Sequence, residues 1–144
     1  MISALIPLLL LTQAVAPTLE QIKSEPNLER RAKAAVEFAI AAERNAEAAY
    51  SRSEMAAVEA ELKSMVAAVE LAKEALNLTG RSANRHPGPY KSAELKTQDM
   101  LERLSDLEKR MDDEERAAVR GPRARVQEIH DEWFEGIMSK SKKR

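Results

Sequence analysis

The sequence predicts an all-α protein: an up-down bundle of about four helices, arranged as two antiparallel hairpins and preceded by a signal-like segment. Composition is the first reason. Charged residues make up 33% of the 144 residues and aromatics 3%, with four glycines in the chain. Ala, Glu, Lys, Leu and Arg dominate, and these side chains lose little freedom on entering a helix. The second reason is periodicity: apolar residues recur at alternating steps of three and four along the chain, the period of one helix face and not of a strand. Length is the third, since a chain of this size builds one modest core.

The elements follow in order. Residues 1–14 form the signal-like segment, with an alternative end at 16. From Ile2 to Leu11 only Ser3 and Pro7 interrupt an apolar run. Such a run is shorter than the ~20 residues that span a bilayer but suits the hydrophobic stretch of an export signal. Ala14, Val15 and Ala16 have the small-residue form of a cleavage site, but Pro17 would then begin the mature chain and block cutting. The preferred cut therefore follows Ala14, after Thr12 and Gln13. No Lys or Arg precedes the apolar run, whereas Arg30, Arg31 and Lys33 follow it. That charge order leaves an uncleaved anchor as the alternative. The expected location is periplasmic or secreted.

Residues 15–26 read as a linker and 27–139 as the bundle. Glu25, Pro26 and Asn27 mark the first helix start. Leu28, Ala32, Ala35, Ala39, Ala42, Ala46 and Ala49 then form a heptad seam made almost wholly of alanine. Small residues let helices approach closely but bury little area each. The bulk comes from a second seam: Met55, Val58, Leu62, Met65, Val69, Ala72 and Leu76. Between them Ser51 and Glu54 offer a capping box, so a hairpin is expected. One continuous helix that dimerises as a spacer is the alternative, because no Gly or Pro lies between Asn27 and Leu78.

Gly80 ends the second helix, and residues 79–91 read as a long loop. Ser92 is expected to cap the third helix, with Ala93, Thr97, Met100, Leu104, Leu107 and Met111 on its seam. Asp112 to Glu115 place carboxylates at a helix start. Gly121 and Pro122 are expected to break or kink the path before a last helix, whose buried stripe is Val126, Ile129, Trp133 and Ile137. Phe134 and Met138 extend that stripe. Residues 140–144 form a basic tail.

Little chemistry accompanies this frame. The chain contains no Cys, which excludes disulfides and thiol catalysis. His86 and His130 lack metal-ligand spacing, and no glycine-framed serine or phosphate loop occurs. The reading is therefore non-enzymatic, with no catalytic residue, cofactor, metal or small-molecule substrate. A net charge of −1 argues against specific nucleic-acid binding. Once the bundle is drawn, however, Arg30, Arg31, Lys33, Arg81, Arg85, Lys91, Lys140, Lys142, Lys143 and Arg144 gather at one pole, beside His86. Glu25, Glu29 and Glu94 offset only part of that charge. The expected partner is another protein or a second copy of the chain, with an anionic membrane surface as the alternative.

Overall fold

The computed structural model describes residues 16–139; the segment 1–14 and the basic tail 140–144 lie outside them. Among the described residues the protein is an all-helical bundle of five helices: α1 (Leu19–Lys23), α2 (Leu28–Ser51), α3 (Met55–Leu78), α4 (Pro87–Arg110) and α5 (Asp113–Met138). The stretch read as a linker thus contains the short α1. Thr18 and Gln21 cap it reciprocally, and its Ile22 is buried against the bundle.

The two alanine- and leucine-bearing seams form the expected hairpin. Ala35, Ala39 and Ala46 are completely buried, as are Val58, Leu62, Met65 and Val69, and α2 with α3 is the most extensive pairing in the fold. The turn between them is a Schellman motif. Glu54 N–H donates to Ala49 O at 3.0 Å and Ser53 N–H to Tyr50 O at 2.9 Å, with Ser53 in the left-handed region at φ 58°. That motif satisfies the last carbonyls of α2 without a glycine. The expected capping box is absent: Ser51 is the last residue of α2 and its hydroxyl donates to Glu47 O, while Glu54 makes no side-chain cap.

Gly80, at φ 68°, ends α3, and the linker to α4 is shorter than expected. α4 begins at Pro87 and not after Ser92. Proline tolerates the first turn, where its missing N–H would have no intrahelical partner. Tyr90 holds the linker to α3: its hydroxyl lies 2.7 Å from Arg81 O and 3.2 Å from Leu76 O. Ala83 of the linker passes over Gly136 of α5, where an added Cβ would sit 3.1 Å from the Ala83 Cβ.

α5 is one helix, with Pro122 inside it and not at a new start. Val119 and Val126, two turns apart on one face, are both fully buried. Their anchorage on either side of the proline holds the path, against the ~3 kcal/mol that an interior proline costs. Around the bundle α2 contacts α3 and α4, while α5 contacts α3 and α4. The two hairpins therefore sit side by side, and the linker crosses the pole on the diagonal from α3 to α4. Trp133 is buried as expected, but Phe134 and Met138 are 49% and 65% exposed: each lies off the stripe that faces the core.

Candidate anion-binding site

The diagonal crossing makes α2 and α4 parallel neighbours. Arg103 of α4 reaches Glu43 at 3.2 Å and Glu47 at 2.9 Å on α2, a similar number of turns from each helix start. Both N-termini therefore lie at one pole, and their aligned peptide dipoles leave positive ends side by side. The first turns of α2 and α4 flank a groove of about 300 Å³. Ala32, Val36, Pro89 and Ala93 supply its apolar surface, and Arg30, Lys33 and Lys96 supply charge. None of these three cations forms an ion pair among the described residues. Glu29 also lines the groove, but Arg81 engages it at 3.5 Å.

The basic pole of the sequence is partly assembled in this way. Arg30 and Lys33 line the groove; Arg31 lies beside it, with its Nε donating to Glu25 O at 2.9 Å. Arg81 is committed to Glu29. Arg85 and Lys91 are exposed on the same pole, around the linker and first turn of α4. Lys140, Lys142, Lys143 and Arg144 lie outside the described residues. Lys96 is an addition to the expected pole: it stands in the third turn of α4, where that helix lines the groove with the start of α2.

Two further clusters carry unusual chemistry. Glu43 is 1% exposed, and its Oε1 is buried with no hydrogen-bond partner. Burial, and then Glu47 beside it, pushes the Glu43 carboxyl up to about 7 against the opposing pull of Arg103 and Arg44. The second cluster joins α4 to α5. His130 Nε2 lies 3.0 Å from Glu94 Oε1, and its Nδ1 lies 3.1 Å from Asp131 Oδ1. Gln127 also donates to Asp131, and with His130 this holds that carboxyl below its usual range. Phe134 stacks on the His130 ring with centroids 6.4 Å apart. The neighbouring carboxylates of His130 are visible in sequence, but Glu94 is not, since it arrives from another helix. No group of three or more metal-ligating side chains converges among the described residues.

At the far pole opposite charges meet: Arg120 and Arg123 reach Glu108 and Arg116 reaches Asp113, while midway along α5 Arg125 joins Glu70 and Glu128. The two ends thus differ in what they offer a ligand. Together the fold and groove define a class, an α-helical bundle with a groove at one pole whose three cations have no ion-pair partner among the described residues. No family model matches the chain, and no curated protein or solved structure is detectably similar to it.

Proposed function

We propose that the protein is a non-enzymatic binding module of the cell envelope that holds an anionic macromolecular partner at the α2/α4 pole. The observation that carries this reading is the groove: Arg30, Lys33 and Lys96 surround an apolar floor without ion-pair partners of their own. Elsewhere in the bundle arginines are mostly matched to carboxylates, so unmatched cations at one place leave a local field that the net charge of −1 conceals. Apolar residues beneath the cations favour an anion attached to an apolar group over a bare mobile ion. Export is the part of the proposal that rests on residues 1–14 of the sequence.

The test is co-sedimentation with vesicles containing phosphatidylglycerol, against vesicles of phosphatidylcholine alone. Binding to the anionic vesicles is expected at low salt and should weaken strongly at ~0.5 M salt, where the screening length falls to a few ångströms. The double variant R30E/K33E should bind at least ten-fold more weakly. Equal binding to both vesicles, or an unchanged double variant, contradicts the proposal.

A further inference from the structure

The groove asks for an apolar group beside a negative charge, and the chain displays that combination on α5. Asp131, Phe134, Glu135 and Met138 follow one another at helical spacing on one outward face, and all four are exposed. Phe134 is one of only two phenylalanines. Its ring stacks on His130, at 14° between planes, a contact that restricts its rotamers and so lowers the entropy lost on docking. The α5 face and the α2/α4 groove are both near the same pole, but on different sides of α4.

We propose that the α2/α4 groove of one molecule receives Phe134 from a second copy of the chain, with Asp131 and Glu135 meeting Arg30, Lys33 and Lys96. This inference rests on the groove being the binding site of the proposed function, and it names one partner for that site. The two surfaces differ, so the contact is heterologous: each molecule offers one knob and one groove, and assembly propagates or closes as a ring in place of a two-fold dimer. A groove of about 300 Å³ is at the lower limit of ligand-sized clefts. One knob in such a cleft buries less than the ~1,200 Å² of stable interfaces, so each contact is weak and strongly concentration-dependent.

The experiment is sedimentation equilibrium of the full chain at concentrations up to ~1 mM, which reaches dissociation constants of about that order. The wild type should show a mean mass rising with concentration. K33E/K96E and D131K/E135K should each reduce the association constant at least ten-fold, because each places like charges across the contact. Mixing those two variants should restore association, since the acidic groove of the first then faces the basic knob of the second. F134S should also lose association while retaining the groove-dependent binding to anionic vesicles, and circular dichroism checks that each variant is folded. A wild type that stays monomeric, or a mixture that does not recover, overturns the inference. Groove-dependent vesicle binding by such a monomer would leave the proposed function standing. Vesicle binding indifferent to K33E/K96E would remove that function as well.

Discussion

Glu43 provides the sharpest stability prediction. Its carboxyl rises from the ordinary 4.5 to about 7 on folding, so the folded state holds the proton more tightly than the unfolded chain. The associated stability is fully present below pH 4.5 and is lost as pH rises through 7. Each tenfold gain in proton affinity corresponds to about 1.4 kcal/mol, so the loss is on the order of 3 kcal/mol. Arg103 is partly exposed, and solvent near it brings the expectation to about 2–3 kcal/mol. Glu43→Gln removes the titration while keeping the shape. The assay is urea unfolding of both proteins at pH 5 and pH 8, followed by circular dichroism. Any fixed cost of the amide cancels between the two pH values. At pH 5 the unfolded carboxyl is already mostly ionised, so the stability of the variant relative to wild type should improve by about 1.5–2.5 kcal/mol from pH 5 to pH 8, roughly 1 M urea in midpoint. A difference between the two proteins that does not change with pH would refute the reasoning.

The rest of the core makes further demands. Leu62→Ala, at a completely buried site, should cost about 2.5–5 kcal/mol in chemical denaturation. Ala46→Leu, which inserts bulk where α2 and α3 approach closely, should destabilise by about 1–3 kcal/mol in the same assay. Pro122→Ala returns an N–H to the interior of α5 and should raise the thermal midpoint, with a gain of about 1–3 kcal/mol. Tyr90→Phe removes the hydroxyl shared by Leu76 O and Arg81 O. It should lower stability by ~1 kcal/mol and speed proteolysis within residues 79–86.

Much of the fold is legible in the sequence because burial follows simple periodicity. The alanine seam from Ala32 to Ala49 and the bulkier seam from Val58 to Leu76 are buried as their spacing requires. Their pairing into a hairpin is harder to read, because the turn uses Ser53 in a left-handed conformation where Gly is the usual signal. Prolines mislead twice, for opposite reasons. Pro87 and Pro89 fit a first turn and so let α4 start early, whereas Pro122 is carried inside α5 by buried valines on both sides. Glu43 carries a local sign of its burial: it lies seven residues from Val36 and from Tyr50, on the flank of the buried seam. Glu29 shares that register and stays exposed; Glu43 differs in lying midway along α2, where Arg103 arrives from α4 to pair with it. The cationic pole is legible as a set of charges, but its groove is not. Lys96 joins Arg30 and Lys33 only because the linker crosses diagonally and sets α4 parallel to α2, a long-range choice that no local pattern encodes.

The most direct measurement for the claim of an anion-binding pole is amide chemical-shift mapping during titration with a short-chain phosphatidylglycerol at low salt. The first and largest changes should fall on residues 27–36 and 89–96, and they should disappear in R30E/K33E. Changes centred on Arg116 to Arg125 at the far pole, or spread evenly over the surface lysines and arginines, would contradict it.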